Sequence, residues 1–356
     1  MTRRKTQKKR RLNFKGLSMK KYLNIVAGID GTWNDESSNT NVYKLLGNVC
    51  ENIFYNLKDR DERCLTKVNY ERGLGTSPTT RYTDGALAKR LHEPIGRTYD
   101  WLASKLVDDN GEFVPRLYLF GFSRGTYCMH VLSWLLQEVG VPMRTDYAKQ
   151  IAEAYVAKDE NALGEIVRQA ECISSPRIQM LGLWDTVTAP CDVCKHYHDG
   201  MKSPLVDMIH HALAADEART MFPVMQYSDP TSQHAHQVWF SGVHGDVGGM
   251  QDYEKYLSDI TLNWMECQAY AEGIGFKPPP VPMTVYDFDG MSKSKTDDEE
   301  ANRTYLKGEG IHVSLLDRMK YDEGYYPKVH DLLDNLKIAR IEHTKIGSSE
   351  QNVSYV

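Results

Sequence analysis

The stretch Leu117-Tyr118-Leu119-Phe120-Gly121-Phe122-Ser123-Arg124-Gly125 decides how this chain reads. A short apolar run enters a Gly-x-Ser-x-Gly string, and Arg124–Val139 then reads as an apolar-rich helix ending near Gly140 and Pro142. Strand, sharp turn and helix in that order are what a nucleophile elbow needs. The string alone is weak. With 26 Gly and 20 Ser in 356 residues, random order yields it about 0.1 times. Its place between a strand and a helix gives it weight. Glycine at 121 and 125 removes side chains that would collide where strand and helix approach. The new helix aims the Arg124 N–H at an oxygen that becomes negative during acyl transfer, so Arg124 is the first candidate oxyanion donor.

Outward from the elbow, strands alternate with helices. Leu23–Ile29 reads as a strand stopping at Asp30-Gly31-Thr32, and Asn39–Ile53 has helical spacing in Val42, Leu45, Leu46 and Val49. Cys64–Tyr70 alternates like a strand, and Gly85–Leu106 reads as a helix interrupted at Pro94. Asp146–Glu171 predicts further helix, Ile178–Trp184 a strand, Leu205–Glu217 a helix, His236–Ser241 a strand and Tyr253–Ala271 a helix. The alternation argues for an α/β fold, a mostly parallel sheet with helices on both faces and lid-like insertions. Beyond Gly275 the pattern degrades, through Pro278-Pro279-Pro280 and a charged loop over Ser292–Asn302. The expected organisation is a basic segment over residues 1–21, a single domain over 22–345 and a tail over 346–356.

A serine hydroxyl is inert without a base. In α/β-hydrolases the acid and the histidine follow the serine in that chain order, each on a loop after a later strand. Asp185 ends the strand Ile178–Trp184, and His244 follows the strand ending at Ser241, 59 residues further on. Both then fall at the carboxyl edge of the sheet beside Ser123. Asp246 is the alternative acid, tied to the same loop as His244. His211, His234, His236 and His312 are rival bases, with His210 and His211 placed inside the expected helix.

Composition narrows the function classes. The chain is 41% hydrophobic and 26% charged, with a mean hydropathy of −0.52 and no apolar run of membrane-spanning length. Net charge is −5, but residues 1–21 hold ten Lys/Arg and no acid, so the remainder carries 33 basic against 48 acidic side chains. A body at −15 is a poor phosphate-backbone binder, and no specific nucleic-acid partner is expected. The basic head suits peripheral contact with an anionic membrane. Seven scattered cysteines without an export signal predict reduced thiols and a cytoplasmic chain, unless a dedicated secretion machine exports it.

Further motifs join these in order: Asp30-Gly31-Thr32-Trp33-Asn34, Thr40-Asn41-Val42, Gly73-Leu74-Gly75-Thr76, Leu183-Trp184-Asp185-Thr186-Val187, His211-Ala212-Leu213 with Asp216-Glu217 and Phe222, and Val238–Gly249. Together they resemble the α/β-hydrolase family that includes type VI secretion lipase effectors with phospholipase A activity, over about residues 23–265. The resemblance implies a triad of Ser123, Asp185 and His244, acting on lipid-like or small esters with no metal or organic cofactor. This chain is shorter than the secreted effectors and leaves no room for a large membrane-docking region.

Asp30-Gly31-Thr32 also invites comparison with aspartyl-phosphate phosphatases, but Gly28 stands where their nucleophile would be. The expectation is instead that Gly31 or Thr32 supplies the second oxyanion N–H while Asp30 holds the loop. Cys191, Cys194, His196 and His198 have zinc-ligand types but form one short cluster after Asp185, which reads better as a lid. The expected activity is a serine carboxylic-ester hydrolase. The other readings are a non-catalytic binding module on a hydrolase fold, or a metal-dependent hydrolase using Asp30, His244 and Asp246.

Overall fold

The computed structural model describes residues 20–51, 54–55, 62–75, 90–107, 112–187, 201–231, 234–250, 255–286, 303–306, 309–322, 325 and 327–330. Among these, eight strands form one sheet: β1 Lys20–Ile29, β2 Phe54–Tyr55, β3 Glu62–Glu71, β4 Val114–Phe122, β5 Ile178–Trp184, β6 Val206–Ala214, β7 Ala235–Phe240 and β8 Gly310–Ile311. Their spatial order is β8-β7-β6-β5-β4-β1-β3-β2. Seven run parallel, and only the two-residue edge strand β2 is antiparallel. The helices are α1 Asn41–Asn48, α2 His92–Val107, α3 Arg124–Glu138, α4 Ala148–Ala157, α5 Glu160–Ala170, α6 His244–Gly248, α7 Lys255–Ala271 and α8 Val313–Tyr321. This is the expected α/β fold.

Strand pleating splits the core into two layers. Leu23, Ile25, Ala27 and Ile29 of β1 pack with α2, α3 and α4 on one face. Val26, with Tyr118, Phe120 and Phe122 of β4, packs with α1 and α7 on the other. A smaller cluster of Leu213, Ala215, Trp239, Leu315 and Val329 fixes the C-terminal segment to the end of the sheet.

Three expectations are corrected. Leu205–Glu217 is not a helix; Val206–Ala214 is β6, so His210 and His211 lie on a strand. Sandwiched between β5 and β7 and buried on both faces over residues 209–214, β6 lacks the alternation that marks a strand. Asp146–Glu171 is two helices, because Lys158 turns left-handed at φ 57° and Asp159 accepts from the Ala162 N–H to start α5. Pro94 does not interrupt α2 but sits in its first turn, where a missing N–H costs nothing.

The path of the chain places the site. After β1 it pairs β3 on one side, then returns to lay β4 on the other side and continues outward through β5, β6 and β7. The loops after β1 and β4 therefore leave one sheet edge in opposite directions, opening a crevice between them. Ile29 and Gly121 are register partners, which sets Asp30-Gly31-Thr32 beside Phe122-Ser123-Arg124.

Candidate active site

Ser123 sits at φ 57° and ψ −126°, a conformation that costs a non-glycine residue about 1–3 kcal/mol. The surroundings impose it. Its N–H donates to the Trp184 carbonyl at 3.0 Å, and its carbonyl accepts from the Thr126 N–H and hydroxyl. Gly125 is obligatory for a different reason: a Cβ there would lie 2.2 Å from the Ile29 carbonyl oxygen. Thus α3 starts hard against the end of β1, with the Arg124 N–H in the first turn, where helix N–H groups lack partners within the helix.

Asp185 and His244 meet. Phe122 and Trp184 are register partners, so Ser123 and Asp185 leave neighbouring strands side by side. His244 Nδ1 stands 2.6 Å from Asp185 Oδ2, and the imidazole is sandwiched between Phe122 and Phe222 at ring distances of 4.6 and 4.9 Å. A histidine held through Nδ1 keeps its Nε2 lone pair for another task. The loop carrying His244 is fixed by the acids after β6: Asp216 accepts from the Gly242 N–H at 2.7 Å and Glu217 from the His244 N–H at 3.2 Å. The Arg219 guanidinium holds the Glu217 carboxyl below its usual range against the effect of burial.

Asp246 accepts from the Val243 N–H at 2.9 Å, capping its own short helix. His211 is fully buried between Thr186 and Gln237, and burial pulls its pKa down to about 4. His312 caps α8 and stacks on Phe240, while His234 and His236 are exposed. None of these rivals is hydrogen-bonded to Asp185.

The loop after β1 carries the two candidates for a second oxyanion donor, Gly31 and Thr32. The Gly31 N–H is spent on Asp30 Oδ1 at 2.7 Å, which leaves Thr32 as the residue of that loop open to a ligand. Thr32 Oγ1 is buried with no hydrogen-bond partner among the described residues and lines a small recess with Leu74, Pro94, Arg124, Gly125 and Cys128.

Asp30 holds the loop as expected, accepting on Oδ2 from Thr40 at 2.6 Å and Tyr70 at 2.7 Å. Burial pushes its carboxyl up to about 6 despite these bonds. A folded-state value above the unfolded one means protonation favours the fold, so this contribution is complete below about pH 4 and lost as pH rises through 6. Asp30→Asn, which cannot titrate, should therefore gain on the wild type by about 1 kcal/mol between pH 5 and pH 8. Urea midpoints of both proteins at the two pH values measure this, and a difference independent of pH would refute it.

Among the described residues no group of three His, Cys, Asp or Glu is gathered to hold a metal. Asp30, His244 and Asp246, the metal alternative, each bind separate protein groups. The Cys191–His198 cluster, nearly all of the basic head and the C-terminal tail lie outside the described residues. No described helix is long and apolar enough to cross a membrane.

Sequence reasoning missed Arg303. Its guanidinium is buried and forks onto both oxygens of Asp185, at 2.6 and 2.9 Å. It follows the charged loop where no motif or periodicity marks a site, and only the folded chain sets it apart, with its guanidinium buried against Asp185.

The pattern described as "T6SS, Phospholipase effector Tle1-like, catalytic domain" matches residues 23–268. The chain belongs to this family. No curated protein matches the chain. Several solved structures are similar, two of them as follows. One is an uncharacterized protein from Pseudomonas aeruginosa, at 17% identity and TM-score 0.43, covering 75% of this chain and 48% of that one. The other is the Tle1 effector bound to the VgrG spike of the type 6 secretion system, at 14% identity and TM-score 0.37, covering 70% and 56%. The chain therefore spans about half the length of the solved structures it matches.

Proposed function

We propose that this family member is a serine carboxylic-ester hydrolase that removes an acyl chain from phospholipid, by way of Ser123, His244 and Asp185. The observation that carries the reading is the 2.6 Å bond from His244 to Asp185 beside a strained Ser123 at the start of α3. Ser123 Oγ attacks the ester carbonyl carbon while His244 Nε2 takes its proton, and Asp185 stabilises the imidazolium. The negative oxygen is held by the Arg124 N–H and by Thr32, whose buried hydroxyl has no partner among the described residues. Collapse expels the lysophospholipid alcohol, which takes the proton from His244. Water, activated by the same base, then releases the fatty acid and restores Ser123.

Within this reading the domain is one α/β unit over residues 22–345, since Arg303 beyond the family match reaches the acid. Delivery by a type VI secretion system, the route named for the family, is how such an enzyme meets a target membrane. The test is a panel of phosphatidylethanolamine and phosphatidylglycerol vesicles with acyl and headgroup labels, alongside short-chain p-nitrophenyl esters. Fatty acid and lysophospholipid should appear, and the soluble esters should turn over. Release of the headgroup without fatty acid, or no turnover of any ester, would refute the assignment.

A further inference from the structure

Arg303 stands out because a fully buried guanidinium is costly and its ion pair is a poor source of stability. Its four terminal N–H groups are all committed. Nη1 donates to Asp185 Oδ1 at 2.6 Å and the Ala214 carbonyl at 2.9 Å. Nη2 donates to Asp185 Oδ2 at 2.9 Å and the Phe222 carbonyl at 3.1 Å. The two carbonyls fix the fork from behind, one at the end of β6 and one beside the ring that covers His244. Asp185 is therefore held by donors on every side: Ala214 N–H at 2.9 Å and Nη1 on Oδ1, His244 and Nη2 on Oδ2.

Without the arginine each oxygen keeps a single donor, the Ala214 N–H on one and His244 on the other, and the carboxylate could still tilt about its terminal bond and swing the ring with it. A bidentate fork removes that freedom, because two parallel N–H bonds define the carboxylate plane. We infer that Arg303 is a positioning residue for ester hydrolysis, clamping the Asp185 carboxylate in the plane that aims His244 at Ser123. This rests on the triad reading above. It adds a fourth member from a segment outside residues 23–268, brought in where Arg303–Thr304 pairs with Val329–His330.

The clamp also acts through charge. Burial alone would raise the Asp185 carboxyl, but Arg303 and the His244 bond outweigh it and hold it well below the usual carboxylate range. The charged and titratable groups facing this carboxylate are Arg303, His244 from α6 and His211 from β6; nearby, Glu217 pairs with Arg219 and accepts from the His244 N–H.

The experiment measures kcat and KM of the full chain on a soluble ester from pH 5 to pH 9, with fluorophosphonate labelling of Ser123 as a separate readout. Arg303→Lys keeps the charge but not the fork. It should lower kcat about 10- to 100-fold with little change in KM and an acid limb near that of the wild type. Arg303→Gln loses the charge as well, so burial raises the Asp185 carboxyl against a weaker opposing charge and His244 loses a neighbouring cation. The acid limb should then move up by about one pH unit or more.

The double variant Asp185→Asn, Arg303→Gln removes both charges and decides the matter even if Arg303→Gln does not fold. It should be as active as Asp185→Asn within about 3-fold, because Arg303 acts through Asp185. Folded variants with lower stability but wild-type kcat and acid limb would overturn the inference. So would a double variant far less active than Asp185→Asn. A wild type that fluorophosphonate does not label would instead defeat the serine reading itself.

Discussion

Ser123→Ala should lose at least about 10³-fold in kcat and all fluorophosphonate labelling while remaining folded. The loss follows from removing the only atom that forms the acyl bond; the residual rate is what binding and the oxyanion donors achieve with water. The fold should survive because Ser123 holds its neighbours through its main chain, by N–H to Trp184 and carbonyl to Thr126. The strained backbone adds a second expectation. Ser123→Gly should be equally inactive but more stable than Ser123→Ala by about 1 kcal/mol, since glycine accepts φ 57°, ψ −126° at little steric cost. Ester turnover, probe labelling and urea midpoints of the three proteins measure both effects. A folded Ser123→Ala with undiminished turnover would remove the serine mechanism.

Asp185→Asn should cut kcat by up to about 10⁴, because the amide permits the wrong histidine tautomer. From the sequence alone this variant is expected to keep its stability. The structure reverses that expectation: the buried Arg303 would lose its anion, at a cost of about 3–5 kcal/mol. The sign with pH is fixed by the depressed Asp185 carboxyl. Its contribution is complete at pH 7 and is lost only as pH falls below the unfolded range near 4 toward the lower folded value. The Asp246→Asn variant makes the comparison, since its oxygen can still accept from Val243 and only about 1 kcal/mol is at stake. Thermal midpoint and turnover at pH 7 separate the two. If Asp246→Asn were stable but dead while Asp185→Asn stayed active, the acid would be misassigned.

Local chemistry made much of this protein legible. The elbow could be read because its constraints lie within five residues: a strand end, two close approaches that exclude a Cβ, and a helix start. That Asp185 and His244 come together could be read because a parallel sheet sends every strand's carboxyl end to one edge. Asp30 was readable as a loop anchor because a turn carboxylate bonds its own backbone. Three things depended on tertiary structure. β6 is a strand because it is walled in on both faces by β5, β7 and the helical layers, and burial of both faces erases the alternation a strand would show. Gly31 yields its N–H to Asp30, a choice between neighbours that the residue types leave open. Arg303 reaches Asp185 across 118 residues and a charged loop. Its role depends on which anion the folded chain buries beside it, and no local pattern encodes that pairing.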